Sequence, residues 1–71
     1  MLTSRAALYF EEVAKRGSIR GAAERLHIAP SAINRQVIQL ENHLGVALFA
    51  RTSQGLRPTA AGEILIDLVR Q

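Results

Sequence analysis

The chain has 71 residues, a formal net charge of +3 and no cysteine. A chain this short forms one domain with a modest core, because it buries only about 60% of the surface that its unfolded form exposes. The lack of cysteine excludes disulfides and thiolate metal sites, and two histidines, His27 and His43, do not make a zinc site unaided. We therefore expect no metal or cofactor, and association with another chain is the remaining route to extra stability.

Composition and charge also bear on location and partner. The apolar fraction of 48% is that of a globular protein, and no apolar run approaches the roughly 20 residues that span a bilayer. The N-terminus lacks a signal-peptide pattern, so we expect a cytoplasmic protein with no membrane contact. Between Lys15 and Arg57 the chain carries seven basic residues against Glu24 and Glu41. A polyanion partner fits this distribution, and so does a merely solvated basic surface.

The first two predicted helices form the opening of the chain. Apolar spacing predicts a helix over the first 16 residues, capped by Thr3 or Ser4 and ended by Gly17. A short second helix follows over residues 18–26. Its central alanine pair, at positions 22 and 23, is small enough to let another helix cross closely, as a tight helix pair requires.

A third helix is predicted from Pro30 to about Leu44, because proline lacks an amide hydrogen and fits the first position of a helix. Its apolar stripe consists of Ile33, Val37, Leu40 and Leu44. Opposite this stripe, near the start of the helix, lie the hydroxyl of Ser31 and the guanidinium of Arg35, and the amide of Asn34 lies on the flank. These are the groups that read base edges in a DNA major groove.

After Gly45 the pattern changes to two short extended segments, residues 46–50 and 56–57, joined by the turn sequence RTSQG. Thr59 then predicts the cap of a fourth helix over residues 60–71. The order of helix, helix, turn, helix, hairpin and helix is that of a mainly α winged helix-turn-helix. In such a fold the third helix enters the major groove, and the hairpin, with Arg51 and Arg57, lies on the backbone or in the minor groove.

The sequence from residue 18 to residue 62 closely resembles the N-terminal DNA-binding domain of LysR-type transcriptional regulators. The residues that carry the resemblance span nearly the whole chain and are Phe10, Gly17, Ser18, Ala22, Ala23, Leu26, Leu40, Glu41, Leu44, Gly45, Leu48, Phe49, Arg51, Thr59 and Gly62. The resemblance implies a bacterial transcription factor in which a winged helix-turn-helix is followed by a long linker helix that pairs two subunits. It also implies a separate C-terminal domain that senses a small molecule and that this chain lacks.

The resemblance further implies which positions touch DNA. The base-reading positions correspond here to Pro30, Ser31, Asn34 and Arg35. The backbone and wing contacts correspond to Ser18, Arg51 and the wing tip with Gln54, and we add Arg57 as a backbone contact or a solvated residue. The expected domains are a winged helix-turn-helix over residues 2–59, with the helix-turn-helix at about 18–37 and the wing at about 46–58, and the start of a truncated linker helix over residues 60–71.

Several positions depart from the usual family pattern. Asn34 stands where serine or threonine is common, Ala29 replaces the usual serine cap, and Gln54 replaces a frequently basic wing tip. Ile38 and Gln39 occupy positions that are often basic. We therefore expect fewer phosphate contacts, and a shallower salt dependence of DNA binding, than for a more basic relative.

The fourth helix is apolar almost all round, which is typical of a helix with a partner outside its own domain. We predict that its exposed side pairs with a second copy of the chain, giving a homodimer or higher homo-oligomer on a partly palindromic DNA site. The predicted dimerisation residues are Ile64, Leu65, Leu68 and Val69.

Some alternatives remain open from the sequence. Winged helices also serve as protein–protein modules without nucleic acid, whereas an enzyme is disfavoured because no nucleophile lies beside a base. Arg51 fits a phosphate clamp or an ion pair with Glu41 that holds the wing on the third helix, and we favour a mixed, partly structural role. Ile38 fits either contact with a thymine methyl group or packing against a neighbour, and His27 fits a turn residue better than a metal ligand.

Overall fold

The structure is a computed structural model that describes residues 4–71, so Thr3 and the start of the predicted first helix lie outside the described residues. Within residues 4–71 the elements are α1 (Arg5–Arg16), α2 (Ile19–Leu26), α3 (Pro30–Leu44), β1 (Phe49–Thr52), β2 (Gly55–Pro58) and α4 (Ala60–Val69). This order confirms the predicted winged helix-turn-helix. No helix in this part of the chain is both long enough and apolar enough to cross a membrane.

Serine side chains begin the first two helices. The Oγ of Ser4 accepts a hydrogen bond from the amide of Ala7 at 3.2 Å. The Oγ of Ser18 accepts one from the amide of Gly21 at 2.8 Å, which satisfies an amide that has no partner within the first turn of α2. Both serines are therefore the N-caps of the helices that follow them.

The turns on either side of α2 need left-handed backbone. Gly17 ends α1 with φ 73°, a conformation that costs glycine nothing. His27 ends α2 with φ 58° and is the one residue other than glycine with positive φ among those described. Pro30 then begins α3 without a side-chain cap from Ala29. His27 is therefore a turn residue, as its position in the sequence indicates.

The first core cluster lies where α1, α2 and α3 meet. Ala22 and Ala23 of α2 are both buried there, which confirms their predicted role in a close helix crossing. The other buried members are Tyr9, Val13, Ile33 and Val37. The predicted apolar stripe of α3 is wrong at its last member, because Leu44 is 47% exposed.

The second core cluster attaches α4 and the wing to α1. Its buried residues are Phe10, Leu48 and Leu65, and the rings of Phe10 and Phe49 lie 5.3 Å apart with a tilt of 41°. Leu65 is only 8% exposed. The prediction that Leu65 belongs to the dimerisation side is therefore corrected: this residue faces the core of its own domain, because α4 packs back onto α1.

The first strand of the hairpin is displaced along the chain relative to its prediction, whereas the second contains the predicted segment 56–57. β1 begins at Phe49 rather than at residue 46, and β2 runs from Gly55 to Pro58. The strands are antiparallel, with Thr52 opposite Gly55. The side-chain oxygen of Thr52 closes the turn by donating to the carbonyl oxygen of Gly55 at 2.8 Å and accepting from the amide of Gln54 at 3.1 Å.

One carboxylate is buried on α1. The Nε of Arg16 donates a hydrogen bond of 2.8 Å to Glu12, and this bond lowers the pKa of the Glu12 carboxyl, against the opposing effect of burial. A lowered pKa means that the pair stabilises the folded chain above the ordinary pKa of glutamate. The contribution is lost as the pH falls through the lower folded value.

The start of α4 is held tightly against the loop before β1. Thr59 caps α4 by accepting from the amide of Gly62 at 3.1 Å, and its hydroxyl donates to the carbonyl oxygen of Ala47 at 2.7 Å. The amide of Thr59 donates to the carbonyl oxygen of Leu48 at 2.9 Å. A Cβ atom at Gly62 would overlap that same carbonyl oxygen.

We expect Gly62→Ala to destabilise the domain although alanine favours a helix over glycine. The gain in helix propensity is about 1 kcal/mol, whereas overlap with a backbone oxygen costs typically about 1–3 kcal/mol and forces α4 away from the loop. Urea unfolding followed by circular dichroism measures the difference. Glu63→Ala, at the next and exposed position, is the control and should change stability by under about 0.5 kcal/mol. A more stable Gly62→Ala chain would contradict the close approach.

Candidate nucleic-acid interface

The start of α3 presents a polar surface to solvent. Ile33 and Val37 of this helix are buried in the first core cluster. The predicted base-reading residues, Pro30, Ser31, Asn34 and Arg35, are all exposed. The apolar and polar faces of α3 are therefore separated as the helical period requires. The exposed groups lie within the first two turns of α3. In a helix-turn-helix, the N-terminal residues of the second helix are those that contact bases in the DNA major groove.

The wing is fixed to α3 by a carboxylate. The Oε2 of Glu41, three residues before the end of α3, accepts hydrogen bonds from the amides of Leu48 at 2.8 Å and Phe49 at 3.3 Å. These are the last residue before β1 and its first residue. Because a carboxylate is a stronger acceptor than a neutral group, this contact sets the position of the wing relative to the recognition helix.

The wing is also fixed to the turn between α1 and α2. The amide of Leu56 donates to the carbonyl oxygen of Gly17 at 3.0 Å. At Gly55, φ is 112°, and an added Cβ atom would lie 2.7 Å from the same oxygen. Only glycine allows this approach. The hairpin is thus held from two sides, by α3 and by the turn that precedes the N-cap of α2.

A shallow groove runs between α3 and the wing. Its volume is about 200 Å³, and its walls include Asn34 and Ile38 from α3 and Arg51 from β1. A second depression, of about 210 Å³, lies between Ser18 at the start of α2 and the wing, and Arg51 borders this one too. Arg51 therefore stands between the recognition helix and the N-cap of α2, where a phosphate could be contacted from either side.

Arg51 makes no ion pair with Glu41. The ion pairs among residues 4–71 are Arg16 with Glu12 and Arg70 with Glu11. The interpretation in which an Arg51–Glu41 pair holds the wing is therefore wrong, since the oxygen Oε2 of Glu41 accepts from backbone amides instead. The guanidinium of Arg51 is exposed and remains available for a ligand.

The other predicted backbone contacts do not share one face. In the hairpin Arg51 lies opposite Leu56, and Arg57 lies opposite Ala50. Since directly opposed residues share a face and neighbours in a strand alternate, Arg51 and Arg57 lie on opposite faces of the wing. Gln54 is exposed at the tip. The Oγ of Ser18 already accepts the Gly21 amide, and its hydroxyl hydrogen is still free to be donated to a phosphate.

The sequence indicated that Glu41 helps to hold the wing, but it missed the partners of this carboxylate, which are backbone amides rather than Arg51. In the sequence, a glutamate near the end of an amphipathic helix looks the same whether it binds backbone amides or is solvated. Its partners are backbone amides seven and eight residues later, and these come close only when Gly45 turns the chain back. The position of Glu41 after Leu40 in the apolar stripe indicates partial burial, and that is the signal the sequence does carry.

Comparison with known proteins identifies the family. The family described as "Bacterial regulatory helix-turn-helix protein, lysR family" matches residues 4–63. The chain belongs to the LysR family. As a LysR-family chain with a winged helix-turn-helix, it carries the DNA-binding domain of a transcriptional regulator.

Two relatives and two solved structures illustrate the similarity. The HTH-type transcriptional regulator ClcR of Pseudomonas putida is 48% identical over 63 residues, which cover 89% of this chain and 21% of that protein. The nitrogen assimilation regulatory protein nac of Escherichia coli K12 is 46% identical over 62 residues, covering 87% of this chain and 20% of that protein. The chain spans 20–28% of the length of the curated relatives that it matches.

The solved structures include complexes with DNA. The crystal structure of the CbnR_DBD–DNA complex matches with a TM-score of 0.87 and 41% identity, covering 93% of this chain and 76% of that one. The BenM_DBD/benA site 1 DNA complex matches with a TM-score of 0.88 and 32% identity, covering 93% of this chain and 77% of that one. The LysR-family fold is therefore shared at high similarity with domains that were crystallised on DNA.

We expect Glu41→Ala to loosen the wing and to destabilise the LysR-family domain by about 1–3 kcal/mol, because two partly buried amides lose their acceptor. Glu41→Gln keeps one carbonyl oxygen and should lose less. Thermal unfolding measures both effects, and hydrogen exchange at the Leu48 and Phe49 amides should be faster in the alanine variant. Glu24→Ala, which removes an exposed carboxylate of α2, is the control. Equal stability of the Glu41→Ala and Glu24→Ala chains would contradict a stabilising contact between Glu41 and the two amides.

Proposed function

We propose that this chain binds double-stranded DNA in a sequence-dependent manner, as the N-terminal domain of a longer bacterial transcription regulator. The observation that carries the proposal is the exposed polar start of α3, held beside a wing that is fixed to α3 and to the α1–α2 turn. On this proposal the helix enters the major groove, and the chain binds without catalysing a reaction. Such a regulator acts in the cytoplasm, where bacterial DNA is found.

The base-reading roles follow from the chemistry of the exposed groups. The guanidinium of Arg35 pairs bidentately with the acceptors of guanine, the amide of Asn34 with adenine, and the hydroxyl of Ser31 with either. Pro30 lies at the first position of α3, so it is suited to an apolar contact at the groove edge and to setting the entry of the helix. Among these residues Arg35 offers the strongest discrimination between base pairs.

The backbone contacts are proposed for the surface around the wing. Arg51 borders both depressions and is placed for a phosphate beside the recognition helix, with the Ser18 hydroxyl across the second depression. Arg57, on the other face of the hairpin, and Gln54, at its tip, suit the adjacent backbone or minor groove. The neutral residues Ile38, Gln39 and Gln54 support our expectation of a shallow salt dependence.

The domain limits and the remainder of the protein are part of the same proposal. We place the end of the winged helix-turn-helix at Thr59, with the helix-turn-helix at about 18–37 and the strands of the wing at 49–58, and residues 60–71 begin a linker helix. A C-terminal domain outside this chain would bind a small-molecule effector. The short span of the chain along its relatives supports this arrangement.

Dimerisation is proposed through the outer side of α4. Ile64 is 64% exposed and Leu68 is 50% exposed, and they lie one turn apart on the same side of the helix. Val69 is partly buried against the second core cluster and contributes only at the edge, while Leu65 is removed from the surface by that cluster. Exposed leucine and isoleucine at this spacing favour a second copy of α4 as the partner, and a two-fold dimer would read a partly palindromic site.

We expect the chain to select a preferred duplex from a random library and to bind it with an affinity that falls as salt rises. Arg35→Ala should lose about 1–3 kcal/mol at one base pair and relax the selected sequence there, whereas Arg57→Ala should weaken all sequences alike. Selection followed by fluorescence anisotropy at two salt concentrations measures both. A chain that binds no duplex above background would identify a protein–protein module instead. Uniform weakening by Arg35→Ala would remove that residue from the base readers.

We expect the double variant Ile64→Asp, Leu68→Asp to remain folded and to shift the chain towards monomer in sedimentation experiments over a concentration series. Both side chains are exposed, so the two charges act on association rather than on the core. Leu65→Ala should instead destabilise the fold by about 2–5 kcal/mol, because it leaves a cavity beside Phe10 and Leu48. Glu63→Gln is the control on the same helix. A wild-type chain that stays monomeric at every concentration would refute the α4 interface.

A further inference from the structure

The outward side of α3 does not end with its polar residues. Ser31, Asn34, Arg35 and Ile38 stand at positions i, i+3, i+4 and i+7, so they form one continuous stripe along the helix. Ile38 is 45% exposed and is the one large apolar side chain with such exposure on this stripe. An aliphatic group thus continues the surface that the proposed function places against the bases.

The described residues cover only about half of Ile38. The inner side of this residue borders the groove between α3 and the wing, where Asn34 lies one turn earlier and Arg51 stands on the opposite wall. Its outer side faces solvent beyond these two polar residues. The other exposed apolar side chains of α3 and the following loop, Leu44 and Val46, come after Ile38 towards and beyond the end of the helix. Ile38 is therefore separate from them and belongs to the surface of Asn34, Arg35 and Arg51.

The major groove offers one apolar group to such a side chain, the C5-methyl group of thymine. We propose that Ile38 is a specificity-determining residue that selects a thymine by contact with this methyl group. The inference rests on the proposed function and adds an apolar residue to the polar residues that are proposed to contact bases. Ile38 has no hydrogen-bonding group, so it can favour thymine over cytosine only through apolar surface that becomes buried on binding.

The position of the thymine follows from the helix. Ile38 lies three residues beyond Arg35, a rise of about 4.5 Å along the axis, against about 3.4 Å per base pair. We therefore expect the thymine within about two base pairs of the pair that Arg35 reads. Asn34 and Ile38, one turn apart on the same groove wall, would then contact neighbouring bases.

The test removes only the methyl group. In the duplex selected by the wild-type chain, each thymine near the Arg35 position is replaced in turn by deoxyuridine, which pairs identically but lacks the C5-methyl. We expect one replacement to weaken wild-type binding about fourfold, the effect of one buried carbon group at about 0.8 kcal/mol. For Ile38→Ala the same replacement should have little effect, and for Ile38→Val an intermediate one. Fluorescence anisotropy measures the affinities.

Gln39→Ala is the matched control, because Gln39 is the next residue of α3, is exposed and lies off the stripe. It should retain the full wild-type response to deoxyuridine. Equal responses of the wild-type and Ile38→Ala chains would overturn the inference, and so would the absence of any thymine whose methyl group matters. Either result would leave sequence-dependent binding through Arg35 intact, whereas failure to bind any duplex would overturn the proposed function itself. Circular dichroism confirms that each variant is folded.

Discussion

The carboxylate of Glu41 is the contact on which the arrangement of the proposed interface depends. By accepting the amides of Leu48 and Phe49, it fixes the path of the chain between α3 and β1. That path puts Leu48 into the core beside Phe10 and starts the wing at Phe49. The groove between α3 and the wing then has fixed walls, and the exposed start of α3 has a rigid neighbour. A single side chain therefore links the recognition helix, the core and the wing.

The small core explains why α4 is only partly covered. One cluster joins α1, α2 and α3 around Ile33, and a second joins α1, the wing and α4 around Phe10. The core of such a small domain covers one side of α4, where Leu65 is buried. It does not cover the side that carries Ile64 and Leu68. The stability of the domain and its proposed dimerisation thus use different sides of the same helix.

The surface around the polar start of α3 includes neutral residues at the wing tip and along the helix. Arg51 and Arg57 lie on opposite faces of the hairpin, so of these two only Arg51 stands beside α3. Arg20 of α2 lies near the start of α3, beside Pro30. With a neutral wing tip at Gln54 and an aliphatic residue at position 38, the proposed DNA interface has less electrostatic attraction available than a more basic surface. Such an interface relies more on direct contacts with bases, and Ile38 extends those contacts into apolar chemistry.

The sequence by itself determined the features that depend on neighbouring residues. Ser18, Pro30 and Gly45 set helix ends through local capping and fixed dihedral angles, and the helical period separated Arg35 from Ile33 correctly. Tertiary structure alone decided which side of an apolar helix is covered and where the loop returns. Leu65 is buried, Leu44 is exposed, and Glu41 accepts hydrogen bonds from backbone amides rather than pairing with Arg51. These outcomes depend on contacts between distant segments of the chain, and such contacts have no signature in local spacing.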